Sequence, residues 1–309
     1  MRRGRAITGG VVLVAGHESR HGGDLWPVSA SIPGGVLTTP GRPLHRAVSE
    51  LLAAGADDVA VLPMTWGRDP VLIADTAQTL RWATTGEGRG RVTLCRPLGA
   101  TDHLVTLLRK AANDVTETHP DAALVVTGYR SNPFDDAELH RVGHLVRAYG
   151  NGSDIEIACV GDESDIERAV LRTRLLGFRS TVLVPADFAR TMPAVEVIDK
   201  VWFHGPLLPT PALLRLIGMR VAAARHALAH GDDGIGAGLL ADHDHGFAHS
   251  HDVDGHPHPH SHGPGGHGHV PGHSHDTRRT EESCSAAPPT STTATTSRSM
   301  PVAPPPPSR

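Results

Sequence analysis

Apolar residues along the first 230 positions fall into two arrangements, short unbroken runs and helix-spaced stripes. Val11-Val12-Leu13-Val14-Ala15 is an unbroken run of strand length. Leu44, Ala47, Val48, Leu51 and Leu52 recur at i, i+3, i+4, i+7 and i+8, one face of a helix. Gly55 stands where a left-handed cap would end it. Val59-Ala60-Val61-Leu62 is the next strand, followed by a helix over 71–82 and a strand over 91–95. Leu104, Leu107, Leu108 and Ala111 form another helical stripe, with Thr101 or Asp102 as its cap. The order then recurs, with strands over 122–127, 155–160, 181–184 and 198–203 and helices over about 134–148, 164–176 and 210–228. Strands apolar on both faces, alternating with helices, predict an α/β fold of mainly parallel sheets covered on both sides.

The recurrence extends to the letters. Leu13-Val14-Ala15-Gly16-His17-Glu18-Ser19-Arg20 resembles Val125-Val126-Thr127-Gly128-Tyr129-Arg130-Ser131-Asn132. The stretch 54–63 resembles 176–185, each a glycine turn followed by a strand that ends in proline, and Arg96-Pro97-Leu98-Gly99 resembles Gly205-Pro206-Leu207-Leu208. Three matches in one order imply two similar lobes, over 6–115 and 121–230, facing each other across a cleft. A ligand is expected outside the carboxyl ends of the strands.

Beyond about residue 231 the pattern ends. Twelve of the chain's 22 histidines lie between His243 and His275, among Gly, Asp, Pro and Ser, and from Ser283 the text is Ala, Pro, Ser and Thr. Too little apolar area is available there to offset the entropy of ordering, so 231–309 is expected to be disordered. Its histidines recur as His-x-His: His243 and His245, His249 and His251, His256, His258, His260 and His262, His267 and His269, His273 and His275. Such density points to divalent metal binding, and a flexible tether would raise the local metal concentration.

The 309 residues carry a formal net charge of −4, which argues against nucleic acid or an anionic membrane as partner. No apolar run approaches the roughly eighteen residues of a membrane span. The run from Ile7 to Ala15 is short, contains Gly9 and Gly10, and reads as a first strand and not as a signal peptide. Cys95, Cys159 and Cys284 are scattered, so neither a disulfide framework nor an all-cysteine metal site is available, and a reducing cytoplasm is expected.

His17 follows the first strand directly, the placement of a metal ligand, a general base or a hydrogen-bonded turn residue. His45, His103 and His140 fall on helices, where packing or exposure accounts for them. The strand–Gly16-His17-Glu18-Ser19-Arg20 opening resembles that of the sirohydrochlorin chelatase family, the cobalt- or iron-inserting class II tetrapyrrole chelatases. The resemblance continues through the helix 43–54, the strand ending at Pro63, and Arg96-Pro97-Leu98-Gly99. In the second half, Thr127-Gly128-Tyr129-Arg130-Ser131-Asn132-Pro133 with Asp135, Asp136, Ala137 and Leu139 resembles a degenerate copy of the same motif. Three departures stand out. Glu18 replaces the family's glycine, the segment 21–42 is short and rich in Gly and Pro, and Val71 occupies the place of a second metal-facing histidine although Asp75 matches.

The resemblance implies insertion of a divalent metal into sirohydrochlorin. Loss of the ion's water shell and of two pyrrole protons would fall to His17 and Glu18 as catalytic residues. His17, Asp69 and His204 are the candidate core ligands, and Ser19, Arg20, Arg68 and Arg130 the candidate contacts to the substrate's carboxylates. The histidine reservoir favours cobalt, on the route to cobalamin, over nickel or iron, and no organic cofactor is implied. The alternatives are a non-catalytic metal-storage or metal-delivery protein on a chelatase-like fold, iron insertion for siroheme, and a two-domain binding protein of the periplasmic type.

Overall fold

A computed structural model describes residues 9–150, 154–193 and 199–241. The chain opens with β1 (Gly10–Ala15), a tight turn of 3-10 type over His17–Gly22, α1 (Trp26–Ser29) and β2 (Gly35–Thr38). It continues with α2 (Arg42–Ala53), β3 (Val59–Met64), α3 (Pro70–Ala83), β4 (Val92–Leu94) and α4 (Thr101–Thr118). Then follow β5 (Ala122–Tyr129), α5 (Pro133–Tyr149), β6 (Ile155–Val160), α6 (Glu163–Leu175), β7 (Ser180–Pro185), β8 (Val201–Phe203), α7 (Thr210–Ala229) and α8 (Ile235–Leu239). The strands form two four-stranded sheets in the orders β2-β1-β3-β4 and β6-β5-β7-β8, with every pairing parallel. The two orders are one topology repeated. Leu13 lies opposite Leu62 in the first sheet, and Leu124 opposite Val182 in the second.

The lobes exchange helices. α4 follows the first sheet in the chain but packs against α5, β5 and β7 of the second, whereas α7 follows the second sheet and packs against β3 and β4 of the first. One apolar cluster therefore runs through both lobes, from Leu13, Leu62 and Ile217 to Leu108, Val126 and Leu139. The outer faces have cores of their own. α2, α3 and α8 cover the first sheet with Leu44, Val48, Leu80 and Ile235, and α6 covers the second with Ile166 and Val170. Among the described residues no helix is long and apolar enough to cross a membrane.

The crossover between β1 and β2 is cut to the single turn of α1, in keeping with the short Gly- and Pro-rich segment that the sequence shows there. Three details depart from the sequence reading. β2 is a half-buried edge strand of four residues, too short to show a period. α4 begins after Ala100, with His103 Nδ1 accepting from the Ala100 N–H at 3.1 Å, so neither Thr101 nor Asp102 is its cap. Most consequential, order does not stop at 231. The Asp233 carbonyl accepts from Leu94 N at 2.8 Å and from Thr93 Oγ1 at 3.3 Å, and Ile235 is buried beside Leu94 and Leu80. The histidines from His243 to His275 lie outside the described residues.

This seam predicts a measurable boundary. A chain truncated after His230 should be less stable than one truncated after Ala241 by about 2–4 kcal/mol, the sum of one buried isoleucine and two hydrogen bonds. Urea unfolding of the two truncations checks it, and equal midpoints would show that α8 contributes nothing.

Candidate functional site

The site is assembled where β1, β3 and β5 end. β1 delivers Gly16 and His17. The loop after β3 delivers Arg68 and Asp69, and Asp69 caps α3 by accepting from Leu72 N at 3.0 Å. The same carboxylate takes the His17 N–H at 3.3 Å and lies 2.9 Å from His17 Nδ1. Gly16 makes this approach feasible, since a Cβ there would stand 2.2 Å from Asp69 Oδ2. From the second lobe, α5 begins at Pro133 behind the Asn132 cap and brings Asp135 into its first turn. Ser131 Oγ and Asn132 Nδ2 donate to Asp135 Oδ2 at 2.9 and 2.8 Å. One ligand atom each from His17, Asp69 and Asp135 lie within 4.8 Å of one another, and among the described residues no other group of three is so placed. One imidazole with two carboxylates suits a borderline divalent ion such as cobalt, iron, nickel or zinc.

An open hollow of about 290 Å³ lies over this group. Its wall includes His21, Val71, Asp75, Ser131 and Asn132 beside the three ligands. Val71 thus faces the hollow from the position where the resemblance places a second histidine. His21 and Arg20 take left-handed backbone angles, with φ of 51° and 48°. Two consecutive non-glycine residues in that region are strained, and bonds from Ser19 Oγ and His21 N to the Gly16 carbonyl hold them there.

Beneath the hollow the charges do not balance. Arg68 is 1% exposed, and Glu18, Asp24, Asp69, Asp135 and Asp187 are all buried at the same junction. Arg68 Nη2 lies 3.5 Å from His17 Nε2 and donates to the Tyr129 carbonyl of the other lobe at 3.3 Å, while its Nε and Nη1 are without partners. Burial pushes Glu18 up despite Arg68 and His17, and it pushes Asp135 up as well. Asp187, which accepts from Tyr129 N and Ala189 N, is pushed up to about 7, again by burial. For His17, burial is the largest influence and acts downward, but the hydrogen bond and charge of Asp69 outweigh it and the imidazole is raised. Asp69 is lowered in turn, its hydrogen bonds and the imidazole's charge outweighing burial. Further ties cross the junction. Phe188 N donates to the Glu18 carbonyl at 2.9 Å, and the Trp66 and Phe188 rings stack at 5.3 Å.

Several residues singled out in the sequence are placed elsewhere than expected. Glu18 is fully buried and accepts from Thr65 Oγ1, Trp66 N and Arg68 N, so it organises the β3–α3 loop and presents no face to the hollow. Ser19 is also fully buried and closes its own turn. Arg20 pairs with Asp24 at 2.8 Å and lies over the Tyr129 ring, and Arg130 braces the β6–α6 turn through Asp165 at 3.0 Å. Arg68 is inside the junction and not on its surface. His204 ends β8 beside Asp114 of α4, at 3.8 Å, and is not part of the His17 group. Conversely, the sequence marks Asp135 only as a motif match and gives no signal for Asp187; the structure places Asp135 in the first turn of α5 and Asp187 just beyond the end of β7.

No family model matches the chain, and no curated protein matches it. Among solved structures, SirB from Bacillus subtilis with Fe3+ superposes with a TM-score of 0.46 at 14% identity, covering 73% of this chain and 99% of that one. The sirohydrochlorin chelatase SirB from Bacillus subtilis subspecies spizizenii, in complex with cobalt, gives 0.42 at 13% identity, covering 71% and 96%. A periplasmic sugar-binding protein from Legionella pneumophila gives 0.32 at 10% identity, covering 57% and 70%. With each of these scores below 0.5, the residues of the site have to carry the functional reading.

Two outcomes follow from the electrostatics. Asp69→Asn keeps a cap acceptor but removes the charge, so the His17 titration followed by NMR should fall from above to below the ordinary histidine value; no movement would mean that Asp69 does not set it. Asp187 keeps its proton when folded up to about pH 7, while an unfolded chain releases it near pH ~4. Between those values the unfolded chain binds fewer protons, so stability declines as pH rises from about 4 to 7 and then levels off. Asp187→Asn should flatten part of that decline in urea unfolding series, and an unchanged slope would count against a costly burial of Asp187.

Proposed function

We propose that this chain is a metal chelatase that holds a divalent ion at His17, Asp69 and Asp135 and passes it to a tetrapyrrole. Cobalt insertion into sirohydrochlorin, on the route to cobalamin, is the specific reaction proposed, with iron insertion for siroheme as its close variant. The observation that carries the reading is the convergence of one imidazole and two carboxylates, from both lobes, at the strand carboxyl ends beneath an open hollow. His17 Nδ1, which points at Asp69, is the nitrogen that would share the ion with that carboxylate, the ion displacing their hydrogen bond, while Nε2 faces Arg68 Nη2 at 3.5 Å. Asp135, raised by burial, replaces Glu18 as the proposed acceptor of a pyrrole proton, because it lines the hollow and Glu18 does not. The preference for cobalt rests on the imidazole density of residues 243–275, and the proposed compartment is the cytoplasm.

Two observations favour a second reading, a metal-delivery protein. The hollow is at the small end of ligand pockets, which run from about 300 to 1,000 Å³, so it would hold one edge of a macrocycle and not enclose it. Arg20, Arg68 and Arg130, the cations expected to meet the carboxylates of sirohydrochlorin, are each engaged or buried.

Sirohydrochlorin metallation, followed by absorbance under saturating Co²⁺, separates the two. His17→Ala should lower the initial rate by about 100-fold or more, the usual size of a lost ligand or proton-transfer group, while leaving the folded state intact. Val71→His, which places an imidazole on the hollow's wall, should raise Co²⁺ affinity about tenfold. An unchanged rate in His17→Ala would overturn the chelatase reading, and Co²⁺ binding without metallation in the parent chain would establish the delivery reading in its place.

A further inference from the structure

A second set of side chains of the metal-ligating kinds stands on α5 and β6 of the second lobe, made of residues distinct from the His17 group, with Cys159 Sγ also 4.0 Å from the Asp136 carbonyl. His140 and His144 are one turn apart on α5, the i and i+4 spacing that puts two imidazoles on one helix face. Both are exposed. Between them lies Gly143, buried, where a Cβ would stand 2.2 Å from Ile157 Cδ1 of β6. The helix therefore approaches the edge strand closely at that point, and the two imidazoles straddle it. Ile157 and Cys159 alternate on the face of β6 that packs toward α5, and Cys159 Sγ lies 3.9 Å from His140 Nε2. Tetrahedral ligation with a metal–sulfur bond of about 2.3 Å and a metal–nitrogen bond of about 2.05 Å sets sulfur and nitrogen about 3.6 Å apart, close to the distance found. A hollow of about 160 Å³ opens beside the pair, lined by His140, His144, Glu156 and Ile157. Arg147, the cation at its far end, is drawn off by the Ile155 carbonyl.

We propose that Cys159, His140 and His144 form a divalent-metal site of the borderline class, taking zinc, cobalt or nickel. Cys159 and His140 are in place, and His144 completes the set by a rotamer change at the helix surface, with water in the fourth position. Binding releases the thiol proton to solvent, as coordination of a thiol does. A thiolate beside two imidazoles is a softer set than the carboxylate-rich group at His17, so the two sites differ in kind as well as in place.

Cobalt distinguishes them, because only a sulfur ligand gives a thiolate-to-cobalt charge-transfer band in the near ultraviolet. The twelve tail histidines and the His17 group contain no sulfur and are silent in that band. Cys95 is buried, and Cys284→Ser removes the remaining thiol from the background. Titrating the full-length Cys284→Ser chain with Co²⁺ should develop a band of one thiolate per chain. Cys159→Ser should abolish it, and His140→Ala and His144→Ala should each weaken the apparent affinity by at least tenfold with unchanged thermal midpoints. No band, a band that survives Cys159→Ser, or titrations of the two alanine variants that superimpose on the parent would each overturn the site. His140 is an exposed helix position, so His140→Ala decides the matter even if Cys159→Ser does not fold. Metallation by the His17 site is not the readout, so failure here and failure of the chelatase reading are separable.

Discussion

The charge balance around Arg68 governs the junction of the two lobes. One guanidinium, buried and with two nitrogens unpartnered, stands at the centre of a seam that also buries Glu18, Asp24, Asp69, Asp135 and Asp187. Isolated buried charge is costly, and with Asp24 paired to Arg20 and Asp69 to His17, Arg68 alone does not compensate Glu18, Asp135 and Asp187. Protons absorb part of the excess, which is why burial raises Glu18, Asp135 and Asp187. The His17 imidazole absorbs another part, held in its raised state by Asp69. What remains is a preformed demand for positive charge at the one place where the seam opens to solvent. Under the proposed function, a divalent ion at His17, Asp69 and Asp135 would satisfy that demand at lower cost than in a neutral cleft, because these side chains are already desolvated and held at the helix starts of α3 and α5.

The fold keeps this arrangement rigid. Exchange of α4 and α7 gives the lobes a common apolar core, and the ties between Arg68 and Tyr129, Phe188 and Glu18, and Trp66 and Phe188 close the seam at the strand ends. Wide separation of the lobes would break the core and the ties together. Access to His17 is therefore through the mouth of the hollow, past His21, Val71 and Asp75. The strained turn at Arg20 and His21 sits on that path, and its left-handed residues are fixed by the same Gly16 that admits the Asp69 carboxylate.

Legibility in the sequence followed the strength of the local signal. β1, β3, β5 and β7 are unbroken apolar runs and α2 carries a five-position stripe, so the α/β class and the two-lobe repeat could be read from pattern alone. β2 and α8 could not. One is four residues long, and the other is a glycine-rich turn made stable only by Leu94 and Leu80 on distant segments. At the site, the placement of His17 at a strand end is marked by position, whereas Asp69 could be named only as a neighbour of the absent histidine. Glu18 and Ser19 were misplaced because adjacent turn residues point in different directions, and sequence order does not say which one faces the ligand. The surroundings of the arginines were not legible for a related reason, since whether a guanidinium faces outward or meets an internal acceptor depends on partners that lie up to 61 residues away, as the Tyr129 carbonyl does from Arg68.

Val71 stands where the resemblance would place a second imidazole, and under the proposed function this bears on what the site would do with an ion. Two imidazoles facing each other would hold a borderline metal tightly, whereas one imidazole with two carboxylates holds it in a harder and weaker set. Weak holding is a poor basis for storage, because the ion escapes to water. It is a sound basis for transfer, where the ion must leave for the nitrogens of an acceptor and the protein's ligands must not compete with them. A carboxylate raised by burial, such as Asp135, can also exchange a metal bond for a proton, which imidazole bound to Asp69 does less readily. On the proposed reading, a valine in place of an imidazole would move the burden of capturing the ion away from the cleft, toward segments dense in imidazole, and leave the cleft to release it.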